Sequence, residues 1–341
     1  MRQKMIVLMM ALLLALTVVS GCTSKEAASG AAGGGGNQPI KLALSPWPGW
    51  FVWYLVKEKG FFEKNGVNVD LVWFPVYSDS LSALASGKVD ANSQTLSDTL
   101  APASKGIPLK AVLVNDNSNG GDGIVVKPGI NSLKELKGKK VATELGTVDH
   151  LLMLTALEKE GLAEKDVAYT NMTVNDAGPA FISGNLDGAV LWEPFLSKAI
   201  AEGKGKLLFS SKDTPGLIPD LLVFKEEITK NRPDDVKKIL HAWFDALDYW
   251  QANPEESLQI MAKAAETPLD EYKAGVNSVK IFQLEDNIKA FQKGETYSSL
   301  HYTSQKTAEF LKGLEMLSTI PKAESFLDGH FVEEVQKERK K

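Results

Sequence analysis

"LASGKVDAN" at residues 84–92 returns in altered letters as "FISGNLDGAV" at residues 181–190. In both, an apolar run ends in Ser-Gly, a polar residue and an aliphatic one follow, and an Asp leads small residues into a new segment. The pattern reads as a helix closed by glycine, then a strand. It is a single short motif, but it falls at the same place in two halves of the chain. That placement decides the fold.

Working outward from the first copy, "IKLALS" (40–45) reads as a strand and "GWFVWYLVKEKGFFEKNG" (49–66) as a helix. "VNVDLVWF" (67–74) is a strand, and "SDSLSALASGK" (78–88) a helix with Ser78 as candidate N-cap. "VDANSQ" (89–94), "TLSDTLAPASKG" (95–106) and "PLKAVLVND" (108–116) continue as strand, helix and strand. After the turn-rich "NSNGGDG" (117–123) the alternation restarts around the second copy. A second Pro/Gly break, "KDTPGLIP" (212–219), precedes the strand-like "DLLVFKE", and from about Arg232 the chain reads as helices only. Strands alternating with helices of 10–15 residues indicate βαβ units on parallel sheets. The expectation is an α/β protein of two lobes: two open sheets with flanking helices, joined by two crossings, plus C-terminal helices. Lobe 1 is expected to hold residues 39–116 with 221–341, and lobe 2 residues 117–220. Solutes of such folds sit beyond the carboxyl ends of the strands, here between the lobes, and closure is a hinge motion.

The N-terminus is a separate matter. Arg2 and Lys4 precede a 14-residue apolar run, "IVLMMALLLALTVV", too short for a membrane span and suited to a signal peptide. It ends in Val19-Ser20-Gly21-Cys22, which resembles a bacterial lipobox, and Cys22 is the only cysteine in the sequence. The resemblance implies a lipoprotein signal peptide at 1–21 and lipidation of Cys22. The Gly-rich stretch that follows, up to residue 38, reads as a flexible tether. Losing residues 1–21 removes two positive charges and no acid, which moves the formal net charge from −5 to −7. A mildly acidic chain without a basic stripe argues against nucleic acid.

Four stretches carry a family resemblance: "WYLVKEKGFFEKNGVNVDLVWF", "LASGKVDAN", "GGDGIVVKPGINSLKELKGKKVATELGTVDHLLMLTALEKEGL" and "DGAVLWEPF". Together they resemble the solute-binding proteins of ABC importers, in the branch serving nitrate, sulfonate, taurine and thiamine-precursor uptake. The resemblance implies the periplasmic-binding-protein fold (type II-like). It also implies capture of a small solute by a monomer, delivery to permease subunits that work with a cytoplasmic ATPase, a lipid anchor on the outer face of the membrane, and no cofactor. One branch of the family is enzymatic, the pyrimidine synthases, which depend on a cysteine-rich motif that this chain lacks beyond Cys22. No GxSxG, HExxH, CxxC or phosphate-loop pattern is present, and the four histidines show no metal spacing.

Residues just past strand ends are the candidate ligand contacts. In lobe 1 these are Trp47 and Trp50, Tyr77, Ser78 and Asp79, then Gln94 and Thr95. Asp122 lies in the crossing. In lobe 2 they are Glu144, Thr147 and Asp149, then Trp192 and Glu193. Several also have plain structural uses: Ser78 and Thr147 suit helix caps, Asp149 and Glu193 suit first turns, and Asp122 suits a turn. Trp53 and Trp73 read as core. The candidate loops carry five acids and no Lys or Arg. Tryptophan faces attract cations and carboxylates accept N–H donors, so the set leans towards a guanidinium, amidine or aminopyrimidine-like solute over a sulfonate or nitrate.

Overall fold

A computed structural model describes residues 38–340. The expected signal peptide, the expected lipidation site Cys22 and almost all of the expected tether lie outside the described residues. Eleven strands form two sheets among them. They are β1 (Ile40–Leu44), β2 (Val69–Trp73), β3 (Ala91–Thr95), β4 (Leu109–Ser118), β5 (Asp122–Val126), β6 (Lys140–Thr143), β7 (Ala168–Asn171), β8 (Gly188–Trp192), β9 (Lys206–Ser210), β10 (Pro219–Lys225) and β11 (Val279–Ile281). The lobe 1 sheet runs β11-β4-β10-β3-β1-β2 and the lobe 2 sheet β7-β6-β8-β5-β9. Helices flank both.

The echoed motif explains why the two sheets look alike. Gly87 (φ 75°) and Gly184 (φ 80°) end their helices in the left-handed conformation, where a Cβ would be strained. The Asp that follows then ties three strands together. Asp90 Oδ2 accepts from Lys41 N at the start of β1, and Asp187 Oδ2 accepts from Lys140 N at the start of β6. The carbonyls of Asp90 and Asp187 accept from the amides of Lys225 and Lys127 on the antiparallel strands β10 and β5, and the same two lysines pair with the Asp carboxylates. Each sheet therefore has three parallel strands, β2-β1-β3 or β7-β6-β8, beside one antiparallel strand contributed by a crossing, β10 or β5. The central strands β3, β5 and β8 are buried at every residue, as expected of strands covered by helices on both faces.

Several sequence expectations change. The 49–66 helix is three pieces: a 3-10 turn at Pro48–Phe51, a helix at Val52–Glu58, and a short helix at Phe61–Lys64 after left-handed Gly60. The "NSNGGDG" break is mostly strand, because β4 continues to Ser118 and β5 begins at Asp122, leaving three residues to cross. At the other crossing β10 begins at Pro219, opposite Asn117 of β4. The region after Arg232 is not all helical: β11 adds a three-residue edge strand against β4. Trp73 is 40% exposed because it ends edge strand β2, so the core reading fails for it. Trp53 is fully buried, 4.4 Å from Trp243 and 6.2 Å from Phe62 between ring centroids, with Nε1 donating to Ser93 Oγ at 2.9 Å.

Candidate functional site

The site grows from the end of β1. After Leu44 the chain passes Ser45 and Trp47 into the 3-10 turn, with Pro48 at its first position, where a missing N–H costs nothing. The Tyr272 hydroxyl, on the helix Leu269–Val276, donates to Pro48 O at 2.8 Å and pins the loop. Trp47 Nε1 donates to Asp116 Oδ1 at 2.9 Å. Two glycines make room for this contact. A Cβ on Gly49 would lie 2.2 Å from Asp116 Oδ2, and one on Gly121 would lie 2.6 Å from the Trp47 ring. Gly49→Ala is expected to push Asp116 off Trp47, costing about 1–3 kcal/mol as overpacking and weakening solute binding; an unchanged melting temperature and affinity would contradict this placement.

A small cavity lies between the lobes, with about 20 Å³ of it open to the centre of a water-sized sphere. Lobe 1 contributes Ser45, Trp47, Trp50, Tyr77 and Thr95, together with Asp220, which the expected 117–220 boundary put in lobe 2 but which sits on β10 of the lobe 1 sheet. Lobe 2 contributes Asp122, Val148 and Trp192. The rings run in a chain around it. Trp47 and Trp50 are 6.5 Å apart, Trp50 and Tyr77 5.6 Å, and Tyr77 meets Trp192 of the other lobe edge to face at 5.6 Å. All four rings are at most 5% exposed, so the lobes are closed on one another.

Carboxyl groups dominate the electrostatics. Asp116 and Asp220 stand opposite each other on β4 and β10, within hydrogen-bonding reach. In the other lobe Asp122 and Asp149 form a second such pair. Asp98 accepts from the Tyr77 hydroxyl at 2.9 Å and the Thr95 hydroxyl at 2.8 Å, and the Val148 amide of lobe 2 faces its carboxylate. Burial pushes Asp98 and Asp116 up to about 7 and Asp122 up to about 6. Asp149 and Asp220 rise well above the usual carboxylate range, first through burial and then through the negative charge of their partners. Burial also raises Glu144 and Glu193. No Lys, Arg or His lines the cavity. Oδ1 of Asp98, Oδ2 of Asp116, Asp122 and Asp220, Oε2 of Glu144 and both carboxylate oxygens of Asp149 are buried and accept from no N–H or hydroxyl of the described residues, so within each pair the acids satisfy one another only by sharing a proton. Such groups are ordinarily satisfied or costly, so the site is rich in unspent acceptors.

The sequence profile of the "NMT1/THI5 like" family matches residues 47–257, the span that carries every lining residue except Ser45 and Pro46. The chain belongs to the NMT1/THI5-like family. A Brucella abortus relative named only as a binding protein is 30% identical over 234 residues, 67% of this chain and 72% of the relative. The taurine-binding periplasmic protein of Escherichia coli is 26% identical over 260 residues, 73% of this chain and 74% of that protein. Among solved structures, the alkanesulfonate-binding protein of Xanthomonas axonopodis pv. citri, bound to MOPS, has the same fold. Its TM-score is 0.71 at 18% identity, and the match covers 86% of this chain and 99% of that one. The two-sheet architecture is that of the periplasmic binding proteins.

Within this NMT1/THI5-like chain, Trp47, Trp50, Thr95, Asp122 and Trp192 line the cavity together. Asp149 stands behind Asp122. Glu144 sits at the rim, where the Ser78 hydroxyl reaches it from the other lobe. Ser78 is not the cap; the helix begins at Tyr77 with Val76 in the cap position. Thr147 does occupy a cap position, but its hydroxyl donates to Glu144 O at 2.8 Å instead. Asp122 is a strand residue opposite Trp192, not part of a turn. Three expected residues point elsewhere. Asp79 is exposed on the outside of its helix. Gln94 is tied to Thr99 and Asn92 inside lobe 1. Glu193 accepts from the Ser197 hydroxyl at 2.7 Å and amide at 3.3 Å, serving the helix Phe195–Glu202. Tyr77, expected past the second strand, does line the cavity. Sequence reasoning missed Asp98, Asp116 and Asp220. A signal existed for the last two, each an acid inside a strand otherwise apolar enough to be buried.

Proposed function

We propose that the protein is the lipid-anchored solute-binding component of an ABC importer, exported to the outer face of the membrane. In this reading it closes its lobes on a small cationic or nitrogen-rich solute of the guanidinium, amidine or aminopyrimidine kind and delivers it to the permease. The observation that carries the solute reading is an aromatic cavity that buries carboxylates from both lobes with no basic side chain among them. An anion there would meet Asp122 and Asp220 at short range in a dry site, at a cost of several kcal/mol wherever those acids have lost their protons. A cation meets ring faces worth about 0.5–2 kcal/mol each, together with charge-assisted hydrogen bonds. The chain performs no chemistry in this account, and the cysteine-rich motif of the pyrimidine synthases has no counterpart in it.

A taurine, alkanesulfonate or nitrate ligand is the second reading. It draws support from the sulfonate-binding relatives, from the helix Val148–Lys159 that presents its first residue to the cavity, and from the unpartnered Trp50 Nε1. A thermal-shift screen decides between the two. The panel holds guanidinium, acetamidine, aminopyrimidines, taurine, methanesulfonate and nitrate. A ligand at 100 times its dissociation constant adds about 2.7 kcal/mol of stability. Shifts confined to the nitrogen bases support the first reading, and shifts confined to the anions refute it.

A further inference from the structure

Asp220 and Asp122 line one cavity but hang from different sheets, and each is backed by a second carboxyl, Asp116 and Asp149 respectively. We propose that the solute is a planar cation with N–H donors on two separate edges, of the guanidinium type. One edge is taken by the Asp116/Asp220 pair of lobe 1 and the other by the Asp122/Asp149 pair of lobe 2, with the faces against the tryptophans. This rests on the cation reading and narrows it.

The narrowing comes from counting acceptors against donors. A quaternary ammonium satisfies the ring faces but brings no N–H to the Oδ2 atoms of Asp116, Asp122 and Asp220 and both oxygens of Asp149, which accept from no donor group of the described residues, the costly outcome for buried polar groups once the pairs ionise. A primary ammonium gathers its three donors at one end and reaches one lobe. A 4-aminopyrimidine carries its donors on one edge. A guanidinium presents paired N–H groups on three edges and makes parallel bonds to carboxylates, so of these cations it is the one that bridges the two lobes with a parallel pair of bonds to each. The cavity between the closed lobes is small, with about 20 Å³ open to the centre of a water-sized sphere, which favours a solute of few atoms. The same bridge makes closure depend on the solute, because each lobe holds only one end of it.

The test compares guanidinium chloride, tetramethylammonium chloride and taurine at about 5 mM and matched ionic strength. Melting temperature and titration calorimetry are read on the purified full chain. Guanidinium is expected to stabilise the protein by several degrees and tetramethylammonium not at all. Equal responses to the two cations overturn the two-edge proposal while leaving the cation reading standing. A response to taurine alone overturns both, and no response to any of the three overturns the proposal. Asp122→Asn and Asp220→Asn, checked for folding by circular dichroism without ligand, are each expected to lose at least tenfold in guanidinium affinity. Either variant binding as tightly as the parent shows that its lobe holds no edge.

Discussion

Without solute, the protein is expected to lose thermal stability as pH rises from about 5 to about 8. Asp98 and Asp116 keep their protons to about 7 and Asp122 to about 6 in the folded chain, against about 4 for an exposed carboxyl. Asp149 and Asp220 shift in the same direction. Between those values the folded chain holds more protons than the unfolded one, so stability falls as pH rises through the window. The contribution is fully present near pH 4 and gone once the folded-state groups have ionised. A carboxyl moved from about 4 to about 7 corresponds to roughly 4 kcal/mol, and several share the site. Parting the lobes wets the carboxylates and relieves part of this, so a scan reads a lower limit. The stabilisation given by guanidinium should grow across the same window, because a cation needs the ionised form. Differential scanning at half-unit steps checks both trends. A ligand-free protein that gains stability from pH 5 to 8 would contradict the buried-acid picture.

Trp53→Ala is expected to cost about 3–5 kcal/mol of folding stability, the range for emptying a large aromatic site. Trp53 is fully buried against Trp243 and Phe62, and its truncation also leaves Ser93 Oγ without its donor. Three residues earlier, Trp50 stands in the cavity wall with an unpartnered Nε1. Trp50→Ala should therefore reduce solute affinity more than it reduces ligand-free stability. Urea titration of both variants, with the guanidinium affinity of the second, separates the roles. Equal stability losses from the two would show Trp50 to be core.

The division between those two tryptophans was readable from spacing alone, since Trp53 falls one turn into the helix and Trp50 at its mouth. The repeated Ser-Gly-x-x-Asp motif was readable too, because its letters are dictated by backbone needs: a left-handed closure, and a carboxylate that accepts from the first strand. Trp73 misled because alternation in a strand does not say whether that strand lies at an edge; β2 does, and the ring is left part-exposed. Asp116 and Asp220 escaped because their partnership is made by β10 returning antiparallel beside β4 after a separation of a hundred residues, and no local pattern announces that. Asp79 and Glu193 were over-read for the converse reason. An acid in a first helical turn is favoured by the helix itself, and one of these faces solvent while the other bonds Ser197.

The central claim is that the cleft is a cation site built from buried carboxyl pairs with no basic side chain beside them, and proton linkage tests it most directly. Guanidinium chloride is titrated into the purified protein at pH 6.5 in two buffers of different ionisation enthalpy. Saturable binding with release of protons, and an affinity that rises from pH 6 to 8, is the result predicted. No binding of guanidinium, or capture of taurine with uptake of protons and an affinity that falls over the same range, would contradict it.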